Sequence, residues 1–174
     1  MDINRVEQTS PFSCGSACLA MVLDKSVGYI EQNVLRRTVG DLYDHGPDAL
    51  KLPIGVTIYE MEAALHDYGF HTLSVVIPCS ENPPESSNWF HRIGDQLPIL
   101  RPLSRINNHI NNNEGVAILG VPSLIHKGGL HWIVVNKRIM YDPAPGDGPK
   151  YENLGNYNNQ NPLYIHEAIL IYDD

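Results

Sequence analysis

Ser13-Cys14-Gly15-Ser16-Ala17-Cys18-Leu19-Ala20-Met21-Val22-Leu23 is the stretch on which the fold turns. Ala17, Cys18, Met21 and Val22 recur at helical spacing, and Leu19, Ala20 and Leu23 fill the gaps. A helix apolar this far around its axis has no face to show to water, so it belongs at the centre of a domain. The spacing predicts a central helix over 14–24, with Ser13 as its N-cap. Residues 1–13 are polar and irregular, with Pro11 as a breaker.

Outward from this helix, Tyr29 to Val39 reads as a second, amphipathic helix, and Gly40 to Pro53 as loop. Thr57-Ile58-Tyr59-Glu60 is a capping-box pattern, so a helix runs from there through Tyr68 and stops at Gly69. His71 to Ile77 alternates and is β-branched, which predicts a strand. Residues 78–88 read as a polar loop, Trp89 to Gln96 as a short helix, and Arg101 to Asn113 as a helix with a polar face. Four strands follow in the reading: Gly115 to Val121, Leu130 to Val135, Arg138 to Asp142 and Leu163 to Tyr172. Helices first and antiparallel strands after them predict an α+β fold, the central helix packed on a twisted sheet. With no internal repeat and no dividing linker, residues 1–174 form one domain.

Composition removes several classes of function. Apolar residues make up 43% of the 174, enough for a core, so the chain is not of the disordered class. The net charge is −8, and the densest basic run is Arg36-Arg37. That excludes the basic stripe of a nucleic-acid binder and disfavours anionic membrane surfaces. No apolar run reaches the roughly 18–20 residues that span a bilayer, and the first residues carry no secretory signal. The expected location is a cytosol, or a destination reached by a signal-independent route. Cys14, Cys18 and Cys79 are three, an odd number that does not make a disulfide framework. No nearby Cys/His pair completes a zinc set with Cys14 and Cys18, so no metal or other cofactor is expected.

The chemistry rests on Gln8, Cys14, His131 and Asp142. Cys14 stands where loop becomes helix, and unpaired N–H groups at a helix start favour a thiolate, the attacking form of cysteine. The plain alternative is a small buried residue, which suits Cys18 better. Cys14 is flanked by turn-forming Pro11-Phe12-Ser13 and by small Gly15-Ser16, which would leave its thiol at a surface. Asn136-Lys137 reads as a two-residue hairpin turn, which puts His131 directly opposite Asp142 on one face. The carboxylate would then fix the imidazole's tautomer and stabilise its charged form; an ordinary cross-strand polar pair is the other reading. Gln8 can donate to an oxyanion beside the Cys14 N–H, or be a solvated side chain. Gly128-Gly129 before His131 allows a substrate backbone to come close, although a turn would explain them too. The remaining histidines read as surface or satisfied core residues.

The segment Gln8-Thr9-Ser10-Pro11-Phe12-Ser13-Cys14-Gly15-Ser16-Ala17-Cys18 resembles the nucleophile motif of papain-like cysteine peptidases, in particular the double-glycine (bacteriocin) leader peptidase branch. His131-Trp132-Ile133-Val134-Val135 and Tyr141-Asp142-Pro143-Ala144 resemble its second motif, a His opening a strand and an Asp-Pro after a hairpin. The capped helix ending at Gly69-Phe70 resembles that family's second helix. The resemblance covers most of the chain and implies a papain-like fold. It implies Cys14 as nucleophile, His131 as general base and acid, Asp142 as orienter and Gln8 in the oxyanion hole; Ser13, Gly128 and Gly129 are expected to line the substrate. The expected activity is that of a cysteine peptidase or amide hydrolase on a peptide or protein. The rival readings are a papain-like toxin or effector that deamidates or transglutaminates, with an inhibitor or immunity protein as partner, and a non-catalytic papain-like binding module.

Overall fold

The computed structural model describes residues 1–39, 42–43, 52–53, 55–76, 103–112, 115–123, 130–146 and 165–172. The central helix is α1 (Cys14–Leu23), and all ten of its residues are buried, as its all-round apolar surface requires. It ends where Asp24 turns left-handed and returns its N–H to the Ala20 carbonyl. The second helix departs from the expected single amphipathic one. A single turn, α2 (Val27–Tyr29), passes into a π-helical stretch, Ile30–Leu35, which Arg36 closes in a left-handed conformation. Ile30 of that stretch is fully buried in the core, and Val34 and Leu35 pack against it half-buried.

Two short strands, β1 (Leu42–Tyr43) and β2 (Leu52–Pro53), pair antiparallel inside the region expected to be loop. The capping box is present at α3 (Ile58–Asp67): Thr57 Oγ1 accepts from the Glu60 N–H, and Glu60 Oε2 accepts from the Thr57 N–H at 2.8 Å. Gly69, at a φ of +85°, ends the turn that leaves it. α4 (Leu103–Asn111) lies within the expected polar-faced helix. The expected polar loop at 78–88 and the expected helix over Trp89 to Gln96 lie outside the described residues.

The sheet has five strands: β3 (His71–Val76), β4 (Gly115–Pro122), β5 (Leu130–Asn136), β6 (Ile139–Tyr141) and β7 (Glu167–Tyr172). Their order across the sheet is β3-β7-β4-β5-β6, antiparallel throughout. The molecule is therefore α+β. Alternation along the strands divides two cores. Val116, Ile118, Trp132, Val134, Ile169 and Ile171 face α1 and α3. Ala117, Leu119, Ile133, Val135, Met140 and Leu170 face the other way, with Ile106 and Ile110 of α4. Burying each large aliphatic side chain contributes about 1.5–3 kcal/mol, which fixes α1 against β5 and so sets where its first residue lies. Among the described residues no helix is long and apolar enough to cross a membrane.

Candidate active site

Cys14 is the first residue of α1 and, contrary to the expectation of a thiol at a surface, is buried at 6% exposed, because Gly15 presses this turn onto Val56 and Trp132. Its position depends on the glycine after it. A Cβ on Gly15 would stand 2.7 Å from Val56 Cβ and 3.3 Å from Trp132 Cδ1. Trp132 in turn donates its indole N–H to the Val56 carbonyl at 3.0 Å. The missing side chain lets the first turn of α1 press onto the Val56–Trp132 pair, beside the strand residue that follows His131.

Ser13 occupies the N-cap position but does not cap. Its φ and ψ are −93° and 17°, and its side chain makes no bond to the first turn of α1. The hydroxyl instead accepts the N–H groups of Thr9 and Ser10, each at 2.9 Å, and donates to the Ser10 carbonyl. The tight Pro11 turn brings those groups to it first. Ser13 is fully buried, so its side chain organises the loop before Cys14. The start of α1 therefore receives no capping bond from Ser13.

His131 and Asp142 are joined, Nε2 to Oδ1, at 2.7 Å. The route differs from the one the sequence suggests. The ladder closes with Asn136 opposite Ile139, so the turn is Lys137-Arg138, at φ of 49° and 66°. Asn136 is held inside the sheet, where its side chain donates to the Met1 carbonyl at 3.0 Å. Moving the turn one step changes every partner but not the parity, so each side chain keeps its expected face. His131 is thus not directly opposite Asp142. Pairing of β6 ends at Tyr141, and Asp142 reaches back to the imidazole from beyond the ladder.

Beyond the ladder, the N-terminal segment does the holding. Arg5 Nε donates to the Asp142 carbonyl at 2.7 Å, and the second terminal nitrogen of Arg5 donates to the Ala144 carbonyl. The Gln8 backbone N–H donates to the Pro143 carbonyl at 2.8 Å. The Asp142 carboxylate also accepts the Ala144 N–H at 2.8 Å. Nothing in the sequence marks Arg5, because its targets are backbone carbonyls far away along the chain.

The electrostatics follow from this packing. Burial alone would push the His131 imidazole down, but hydrogen bonds to Asp142 and to the Cys14 thiol, with their charges, lift it to about 9. Asp142 is opposed by its own burial, yet the His131 hydrogen bond and charge, the Ala144 N–H and the Arg5 charge hold it below the usual carboxylate range. At neutral pH the pair is imidazolium and carboxylate. With Nε2 engaged by Asp142, Nδ1 is the nitrogen left for Cys14. Cys18, one turn deeper, is fully buried, and burial with the charges of Cys14 and Asp142 pushes its thiol well up.

Gln8 reaches the same corner through its backbone. Its Nε2 donates to the Ser10 carbonyl at 2.9 Å, and its buried Oε1 has no hydrogen-bond partner among the described residues. Gly128 and Gly129 lie outside the described residues, as do Cys79, His45, His91 and His126. Of the other histidines, His66 bonds Thr72 Oγ1 at 2.7 Å, His109 is buried against the Val116 carbonyl and Tyr172, and His166 is buried. Among the described residues, no cluster of three His, Cys, Asp or Glu side chains is arranged to hold a metal ion.

No protein-family model matches the sequence, and a comparison with curated proteins returns no match. Solved structures do match. The peptidase domain of Streptococcus ComA, a bi-functional ABC transporter of a quorum-sensing pathway, superposes with a TM-score of 0.53 at 18% identity, over 99% of this chain and 100% of that domain. A double-glycine motif protease from an AMS/PCAT transporter, solved with a leader peptide, superposes with a TM-score of 0.54 at 12% identity, over 99% of this chain and 93% of that one. Both matches run nearly end to end, and the fold of this chain is the fold of these transporter peptidase domains.

Proposed function

We propose that the chain is a cysteine peptidase in which Cys14, His131 and Asp142 act as nucleophile, acid–base and orienter. One observation carries the reading: the His131 imidazole, bonded to Asp142 at 2.7 Å, is within electrostatic reach of the Cys14 thiol at a helix start that Ser13 leaves without a side-chain cap. The likeness to peptidase domains supports the class, and the leader peptide bound to one of them supports a peptide as substrate.

The steps use groups already in place. The Cys14 thiolate attacks a peptide carbonyl, forming the C–S bond and an oxyanion. The Cys14 backbone N–H and the second N–H of Gln8 Nε2 are the donors for that oxyanion, each of a kind worth about 3–4 kcal/mol in the transition state. Imidazolium at His131 gives its proton to the leaving amine as the C–N bond breaks. The neutral imidazole then takes a proton from water, whose oxygen attacks the thioester. Collapse of that second intermediate releases the acid and restores thiolate and imidazolium. Deamidation and amine transfer would use the same residues and differ only in which amide enters and which nucleophile takes the acyl group.

Alkylation with iodoacetamide across pH, with mass spectrometry resolving Cys14, Cys18 and Cys79, tests the pair. Cys14 should react first at neutral pH, and His131→Ala should remove that advantage. The reading fails if Cys14 reacts equally fast in the wild type and in His131→Ala, because the imidazole would then contribute nothing to its reactivity. Peptidase activity should fall on the alkaline side through about pH 9, as the imidazolium loses its proton.

A further inference from the structure

We propose that Arg5 is a positioning residue for the site, clamping the Asp142-Pro143-Ala144 segment so that the carboxylate stays on His131. The inference rests on the catalytic reading above and concerns how that site is held. Asp142 lies past the last residue pair of β6, so no sheet neighbour fixes its backbone. Three successive carbonyls, those of Asp142, Pro143 and Ala144, are instead all bonded by residues 5–8: the outer two by the Arg5 guanidinium and the middle one by the Gln8 N–H. The guanidinium is itself braced by Glu7, 3.0 Å from its first terminal nitrogen.

The chemistry of the fork matters here. A planar guanidinium can span two carbonyls two residues apart and hold both directions at once; an ammonium is a point donor and cannot. Arg5 is 18% exposed at its side chain, so these bonds are largely screened from water. Released from the clamp, the Asp142 backbone is free to turn. A carboxylate displaced by about 1 Å loses the geometry on which such a site depends, at a cost on the order of 100-fold in rate. Arg5 therefore acts through Asp142 and touches no reacting atom.

Two effects of Arg5 carry opposite signs, which makes the proposal testable. As a charge near the site, the guanidinium opposes the imidazolium, so removing charge alone would raise the pH at which His131 titrates. As a clamp, it keeps the carboxylate in place, so removing it should lower that pH. The measurement is an NMR titration of the His131 ring protons in the full chain, for wild type, Arg5→Lys and Arg5→Gln. Among the described residues, the groups facing the imidazole are Asp142 and Cys14, with Arg5 behind Asp142.

The expected result is a midpoint that falls from about 9 toward 6.5 in both variants, with Cys14 alkylation at pH 7 slowed about ten- to a hundredfold. A midpoint unchanged or raised in both variants overturns the clamp, and so does an Arg5→Lys variant that matches wild type. If Arg5→Gln does not fold, Arg5→Lys decides the question, with far-UV circular dichroism as the check on its fold. Failure of the catalytic reading shows separately, as a Cys14 whose alkylation ignores His131 in an otherwise wild-type chain.

Discussion

The two principal helices on one face of the sheet begin in opposite ways. α3 is closed at its start. Thr57 and Glu60 satisfy each other's N–H groups, Arg37 holds the Glu60 carboxylate through Nε at 2.7 Å, and its terminal nitrogen reaches the Gly55 carbonyl at 2.6 Å. Glu60 is resisted by partial burial, but Arg37 and Thr57 hold it below the usual range. α1 is open at its start: the serine in the capping position has turned its hydroxyl back to Thr9 and Ser10. A side-chain cap is worth about 1 kcal/mol. The helix that forgoes it is the one whose first residue is Cys14. N–H groups that Ser13 leaves uncapped suit a negatively charged sulfur and, in the proposed reaction, an oxyanion.

The largest expected effect strikes the open end. Cys14→Ser should lower peptide hydrolysis on the order of a thousandfold or more while the melting temperature stays near wild type. Retained hydrolysis would end the contrast between the two helices. Next comes pH, which should act differently on the two sides. Glu167 points toward the α3 side, its Cγ 2.8 Å from where a Gly120 Cβ would stand, and burial raises its carboxyl to about 7. A carboxyl raised on folding binds its proton more tightly in the native state. Stability should therefore decline as pH rises from about 4.5 to about 7, by roughly 3 kcal/mol. Urea titrations of wild type and Glu167→Gln check this, and a decline that survives in Glu167→Gln removes Glu167 as its cause. The His131–Asp142 pair acts over another range: the imidazole's contribution is full below about pH 6.5 and is lost as pH rises from there through about 9, and the carboxylate's is lost as pH falls through the depressed Asp142 value.

Gly15→Ala should come third. Its Cβ has no room against Val56, and such overpacking costs about 1–3 kcal/mol. Because the strain lies in the first turn of α1, Cys14 alkylation should slow as well, which thermal melts and alkylation rates can separate. Thr57→Ala is the mildest. It should cost about 1 kcal/mol in a urea titration and leave the Cys14 alkylation rate alone. A slowed rate would show that the closed end also supports the chemistry.

How much could be read beforehand follows from the same physics. α1 and α3 were legible because periodicity and a capping box are local signals. The pairing of His131 with Asp142 was legible as an association but not as a register. Asn136 looks like the natural turn residue, since asparagine tolerates positive φ, yet its amide is used inside the sheet on the Met1 carbonyl. The turn was pushed onto Lys137 and Arg138, which no local rule favours. The capping role of Ser13 was misread for a related reason: a hydroxyl three and four residues from two free N–H groups has two claims on it, and the sequence does not rank them. Arg5 was invisible, because contacts to backbone carbonyls leave no pattern in side-chain identity.

The Lys137-Arg138 turn bears on how the hairpin comes to form. A left-handed conformation costs an ordinary L-residue about 1–2 kcal/mol, and two adjacent residues adopt it here. Such a turn does not nucleate its own strands. β5 is already committed along its whole length to β4, from Pro122↔Leu130 to Val116↔Asn136, whereas only three residue pairs tie it to β6. The long-range partner therefore chooses the register, and β6 closes onto an edge that is already built. Arg138→Gly should accordingly slow unfolding and leave the refolding rate unchanged. A faster refolding rate would mean that the turn leads, and that the edge carrying Tyr141 and Asp142 is among the first parts of the molecule to take shape.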